Sequence, residues 1–191
     1  MSLVSRFTLD GVADTTYGIE LRPGYDEPML PGVRTRSVDI PGRAGRWEFQ
    51  GDLGAREINL PCVATAATQE ALASLGRALA AALLDDDGYP TDISLVFLKE
   101  STKTYTVRYN GLVSVQRLVG SSIGEFVLPF IAADPFAYGA EETTTETDIT
   151  ASPTTIDITN DGTVSTPCVI TITNTGGTDI TGIKITQRKV V

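Results

Sequence analysis

Short runs of alternating apolar and polar residues, separated by glycine- and proline-bearing turns, predict a mainly β protein, sandwich- or barrel-like, with one α-helix and an extended β-hairpin. Three observations carry that prediction. The alternation recurs along residues 1–138. Only one stretch, after Thr68, repeats leucine at spacings of three and four. Composition then breaks near residue 139: the last 53 residues hold 16 threonines and no aromatic residue, which predicts a short Thr-rich β appendage.

Arg6 to Leu9 alternates and stops at Asp10-Gly11, a dipeptide suited to a tight hairpin turn because glycine accepts positive φ. Tyr17 to Leu21 is a second short run, followed by the turn-rich loop RPGYDEPMLPG. Thr35 to Ile40 alternates up to Pro41-Gly42, and residues 46–50 can return, making 36–50 an extended hairpin tipped by Pro41 to Gly45. Glu57 to Thr65 reads as a strand in which Pro61 marks an edge or a bulge. Thr68 caps a helix with its hydroxyl. Leu72, Leu75, Leu79 and Leu83 form its apolar stripe, Gly76 predicts close approach of a neighbour, and the helix stops before Asp85-Asp86-Asp87-Gly88. Strands are then expected over Ile93–Leu98, Lys103–Tyr109, Leu112–Leu118 and Glu125–Ile131, with Asn110-Gly111 as a type I′ turn and Gly120 to Gly124 as a longer loop. Residues 139–154 read as a polar linker, and 155–191 as an appendage with strands at Thr155–Thr159, Cys168–Thr173 and Ile180–Thr186.

Composition closes most routes to catalysis. The chain has 191 residues and no histidine, so neither a Ser–His–Asp or Cys–His nucleophile nor a histidine-ligated metal is possible within it. Two cysteines, Cys62 and Cys168, make neither a thiolate cage nor a CxxC pair, and they fit free thiols in a reducing compartment better than one long-range disulfide. The net charge of −9 argues against a general nucleic-acid binder, which presents a basic stripe to phosphate. No apolar run reaches membrane-spanning length, and MSLVSRFTLDG lacks the apolar core of a secretory signal. No metal and no cofactor is expected.

The remaining chemical candidates are weaker than their plain readings. The aspartates at 85–87 are adjacent and lack the alternating spacing of a calcium loop, so they read as a solvated turn. GRAGRWEFQG resembles a phosphate loop but lacks the GK[ST] ending and a following helix. Paired carboxylates can run glycoside chemistry without histidine, but 24 acidic residues always supply some pair, so the signal carries no weight. The tail lacks the aromatic platform on which sugars stack. Arg43, Arg46 and Trp47 stand out instead, because arginine and tryptophan on an exposed hairpin tip suit contact with a partner. The competing reading is an ordinary turn with a half-buried Trp47.

Four ordered segments resemble the tail-component family of long-tailed, siphovirus-like phages that includes the distal tail protein. FTLDGVADTTYGIEL is similar to its first hairpin, and VRTRSVDIPGRAGRWEF to its IPGR-G hairpin. REINLPCVATAATQEALASLGRALAAALL resembles its strand-then-helix unit. YTVRYNGLVSVQRLVGSSIGEFVLPFIAADPFAYG resembles its closing strands with a DPF-Tyr ending. The resemblance implies a non-enzymatic virion protein, made in the host cytoplasm and placed at the distal end of the tail. There it would form a homo-hexameric ring over residues 1–138. The ring would join the tail tube or terminator protein above to the baseplate hub or tail fibre below. DNA would pass through the lumen without sequence-specific binding, helped by the repulsion of an acidic lining. Within this reading Ile40, Pro41, Gly42, Arg43, Gly45, Arg46 and Trp47 lie in the hairpin that reaches the adjacent subunit. Asp134, Pro135, Phe136 and Tyr138 form the exit from the ring domain. ITNDGTVSTPCVITITNTGGTDITGIKIT resembles the start of the galectin-like sandwich that members often add, although 53 residues are too few to close one. The alternative is a free-standing β-sandwich module that binds cell-surface carbohydrate.

Overall fold

In the computed structural model of the chain, which describes residues 5–25, 29–117, 122–139, 146–160, 162–167 and 169–186, two units are present, Met1–Thr143 and Thr144–Val191. The first begins with β1 (Phe7–Leu9), which turns through Asp10 and Gly11 into β2 (Val12–Ala13). Both turn residues have positive φ, 48° and 78°, as a type I′ connection requires. A 3-10 turn (Asp14–Tyr17) takes the place of the first part of the expected strand, and β3 (Ile19–Leu21) follows. Asp14 explains the difference. It is fully buried, and its carboxylate accepts the N–H of Arg6 at 3.1 Å and of Thr15 at 2.8 Å, which ties the backbone into a local turn.

Among the described residues, β4 (Val33–Asp39) and β5 (Arg46–Leu53) pair only with each other. The chain continues through β6 (Arg56–Thr65), α1 (Gln69–Leu83), β7 (Asp92–Phe97), a 3-10 turn (Leu98–Glu100), β8 (Lys103–Tyr109), β9 (Gln116–Arg117), β10 (Ile123–Ala132) and β11 (Tyr138–Gly139). All but β4 and β5 form one antiparallel sheet in the order β2-β1-β7-β8-β10-β6-β3, with β11 beside β8 and β9 beside β10.

The pleat determines which side chains enter the core. On β6 these are Ile58, Leu60, Cys62 and Ala64; opposite them on β10 stand Phe130, Leu128 and Phe126. Leu9 and Leu95, Phe7 and Phe97, and Ile93 and Val107 are buried in the same way across their ladders. Each fully buried residue of this size contributes about 1.5–3 kcal/mol. The helix packs on β6 and the first 3-10 turn, adding Leu72, Leu79 and Leu83 to one continuous core. The strands far from α1 are as deeply buried as β6, so the sheet curls and closes on its own apolar face.

Local chemistry follows the sequence closely in α1. Thr68 Oγ1 accepts the N–H of Ala71 at 3.1 Å, and the helix stops at Leu83. Asp85 lies in the turn beyond it, with Oδ1 accepting the N–H groups of Asp87 and Tyr89 at 3.0 and 2.7 Å. Among the described residues no group of acidic or cysteine side chains is placed to hold a metal.

Four local expectations are corrected. Pro61 causes no bulge, since β6 keeps continuous register with β10. Its carbonyl accepts Arg22 N–H at 2.8 Å on the β3 side, so its missing N–H faces the point where β3 ends and costs no bond to β10. Gly76 has open space beside it, and among the described residues no neighbour approaches closely there. Asn110-Gly111 is not a type I′ turn, because only Gly111 has positive φ, 141°. Asn110 N–H instead donates to Pro129 O at 3.0 Å, extending the β8–β10 pairing, and a Cβ on Gly111 would lie 2.9 Å from Pro129 Cγ. The strand expected over Leu112–Leu118 shrinks to β9; Leu118 and part of the loop at 120–124 lie outside the described residues.

The second unit departs furthest. Its described residues form no strand and no helix, and all of them are exposed. The three expected strands are therefore absent from the described residues; Cys168 and part of the expected linker, 140–145, lie outside them. Short apolar runs such as Ile156/Ile158 and Ile183/Ile185 find no covering face here, and a few short strands without one are not stable in water. Local side-chain brackets form instead, by one device used twice. Gly162 N–H donates to Asn160 Oδ1 while Asn160 Nδ2 donates to Val164 O, and Gly176 and Asn174 repeat the pattern with Thr178 O.

Candidate assembly interface

The hairpin is the part of the first unit that the core does not use. Its root is closed by Gly54 N–H donating to Gly32 O at 2.6 Å, and its ladder runs from Val33↔Leu53 to Asp39↔Arg46. Register shifts once, between Arg34 and Arg36, and the pairing extends three residues further at the root than the sequence predicts. At the tip, Arg43 N–H donates to Ile40 O at 3.1 Å around Pro41 and Gly42. Proline followed by glycine at φ 79° is the signature of a type II turn. Ile40, Pro41, Gly42, Arg43, Gly45, Arg46 and Trp47 thus lie together on one exposed tip.

Paired residues on a ladder share a face, so the register sorts the hairpin's side chains. Asp39, Arg46, Ser37 and Glu48 lie on one face, and Arg46 Nε meets Asp39 Oδ1 at 3.1 Å. The other face carries Val38 beside Trp47 and Arg36 beside Phe49, with Arg36 reaching Asp52 at 3.3 Å. Val38, Trp47 and Phe49 are 50%, 53% and 54% exposed, an apolar stripe left in water. The Arg43 guanidinium lies 5.2 Å from the centre of the Trp47 ring and shields it only in part. Trp47 is therefore not a core residue; about half of its surface is exposed at the hairpin tip. Sequence reasoning singled out Trp47 but missed Val38 and Phe49; the signal was the period of two that puts all three on one face.

The residues expected at the domain exit, Asp134 to Tyr138, belong to a different element. Asp134 Oδ1 accepts Phe136 N–H at 3.1 Å, and Asp134 Oδ2 accepts the Tyr138 hydroxyl at 2.5 Å. This bracket carries the chain past Pro135 and returns it to the sheet, where Tyr138 pairs with Thr104. Donation to Asp134 raises the pKa of the Tyr138 phenol.

A third feature has no counterpart in the sequence reading. Between α1 and the sheet an apolar crevice of about 170 Å³ opens beside Leu75, Leu79, Ala80, Tyr109, Val113 and Phe126. Its lining carries no charged side chain. Deeper in, Cys62 is a free buried thiol, its pKa pushed up by burial, and further by the Asp14 charge, to about 12. It is unsuited to redox or nucleophilic work.

Residues 14–132 match the family described as the phage tail protein RIFT-related domain. No curated protein sequence matches the chain. Among solved structures, the SPP1 Dit (gp 19.1) protein, described as a paradigm of the hub adsorption apparatus in phages infecting Gram-positive hosts, is 25% identical, with a TM-score of 0.61 over 74% of this chain. The chain spans 54% of that protein's length. A match over more than half of the chain, on the curled sheet, single helix and projecting hairpin described above, places it: this protein belongs to the phage tail protein RIFT-related domain family.

Proposed function

We propose that the chain is a structural ring component of a siphovirus tail tip, with no catalytic role. Copies of the domain over residues 1–138 associate head to tail, six to a ring, each hairpin clasping the next subunit. Residues 139–154 link this domain to the appendage at 155–191. The ring joins the tail tube or terminator protein to the baseplate hub or fibre, and its lumen passes DNA without binding sequence. The net charge of −9 per copy supports the last step, because an acidic lining repels phosphate. The observation that carries the reading is the hairpin's exposed Val38, Trp47 and Phe49 stripe on a ribbon that pairs with no other strand among the described residues. A two-stranded ribbon of this kind is only marginally stable in water, and exposed apolar stripes mark interaction surfaces.

Light scattering on the purified chain tests this. A species near six times the 20.3 kDa chain mass, seen as rings in negative stain, is expected. A monomer at every concentration, retained on glycan columns, would instead favour the carbohydrate-binding alternative.

A further inference from the structure

The hairpin needs a receptor, and the surface of the same domain holds one that fits it. We infer that the Trp47 ring of one copy seats in the crevice beside α1 of the next, with Arg43 delivered to the acidic loop that follows α1. This rests on the assembly reading above and specifies where the clasp closes.

Size is the first argument. An apolar cavity of about 150 Å³ accepts a benzene ring. The crevice, at about 170 Å³ and lined by Leu75, Leu79, Ala80, Tyr109 and Val113, has room for one large aromatic side chain and too little for a helix. Trp47 is the one tryptophan of the chain, half exposed, with apolar Val38 directly across the ladder. No lining residue of the crevice comes from the hairpin, so within one copy the knob and the hole remain apart.

Charge is the second, independent argument. Of the four arginines between Val33 and Leu53, Arg36 and Arg46 are paired with Asp52 and Asp39. Arg34 and Arg43 have no carboxylate partner among the described residues. Leu83 and Leu84 line the crevice, and the chain runs on from them directly into Asp85, Asp86 and Asp87. Asp85 is occupied by two backbone N–H groups, whereas the exposed carboxylates of Asp86 and Asp87 have no partner among the described residues. An unpaired guanidinium stacked on the ring that enters the crevice meets unpaired carboxylates in the loop that follows α1. A knob and a hole on different surfaces of one molecule make a head-to-tail contact, which closes into a ring when the rotation allows it.

Photo-cross-linking tests the docking. The chain is made with p-benzoylphenylalanine in place of Trp47, which keeps an aromatic side chain, and mixed with isotopically heavy chain before irradiation. The expected cross-link joins position 47 of one copy to the peptide spanning Leu75–Leu84, or to Val113–Val115, of the other. An oligomer whose cross-links fall on any other surface, or within one copy, overturns the docking and leaves the ring reading standing. Absence of any oligomer overturns both. As a second measurement, Asp86→Lys with Asp87→Lys changes only exposed loop residues. It should weaken assembly at least tenfold with an unchanged thermal midpoint, and adding Arg43→Glu should restore part of the loss. Assembly unaffected by the double charge reversal would overturn the electrostatic half of the contact.

Discussion

β6 and β5 are both long strands, and they differ in what lies across their faces. On β6, every second residue from Ile58 to Ala64 is buried, because α1 and the apolar face of the curled sheet close over that side. On β5, no residue from Arg46 to Leu53 is buried, although Trp47 and Phe49 alternate with polar neighbours just as Ile58 and Leu60 do. The same pleat serves two purposes. In one strand the chain supplies its own cover, and the alternation holds the fold together. In the other the described residues supply no cover, and the alternation presents a surface.

The sharpest way to break this comparison is to truncate one aromatic from each strand pair. Phe130→Ala, on β10 opposite Ile58, removes a buried ring and should cost about 3–5 kcal/mol in urea unfolding. Trp47→Ala should leave the unfolding of the dissociated chain within about 0.5 kcal/mol. Its effect should fall on assembly, at about 2 kcal/mol or more as for an interface anchor. Equal losses of folding stability in both variants would make Trp47 a core residue and end the distinction.

Two glycines sharpen it at smaller amplitude. Gly18 holds φ 63°, and a Cβ there would lie 2.9 Å from Leu75 Cδ1. Gly18→Ala should lose roughly 2 kcal/mol, from left-handed backbone strain and displacement of a helix side chain. Gly45, at φ 85° with open space around it, is as strained locally but sits on the hairpin tip. Gly45→Ala should change global unfolding by less than about 0.5 kcal/mol, because the tip opens independently of the core. Differential scanning calorimetry on the two variants checks the ranking.

The smallest effect is alkaline. Cys62 is raised from its ordinary 9.0 to about 12 by burial, so the folded state holds its proton more tightly than the unfolded state does. The linked stability is complete below pH 9 and is lost as pH rises towards 12. At pH 10 the loss should be roughly 1 kcal/mol, and Cys62→Ala should remove that slope. Iodoacetamide should alkylate Cys62 only after unfolding. Rapid alkylation of the folded chain at pH 9 would contradict its burial.

Much of the fold was legible because it is written in local chemistry. Asp10-Gly11, Pro41-Gly42 and the Thr68 cap each satisfy a backbone need within a few residues, and all three form as expected. The run Lys103–Tyr109 matches its strand residue for residue. Misreadings came where a distant group decides the outcome. Asp14 draws the chain into a 3-10 turn through Arg6, eight residues away. Pro129 captures Asn110 and cancels a hairpin turn. Pro61 reads as an edge marker, yet its strand is unpaired at that point on one side only, because β3 is short.

The sequence by itself therefore determined the alternation, the turn positions, the single helix and the exclusion of histidine chemistry, since each depends on residues adjacent in the chain or on composition alone. Only the tertiary structure decided the strand order, the curl that buries one face and the crevice left beside α1. It also decided that the hairpin pairs with no other strand among the described residues. Those features depend on which apolar faces meet across long separations. A period of two states that a strand has two faces, and only the neighbours packed against it establish which face is core and which is offered to a partner.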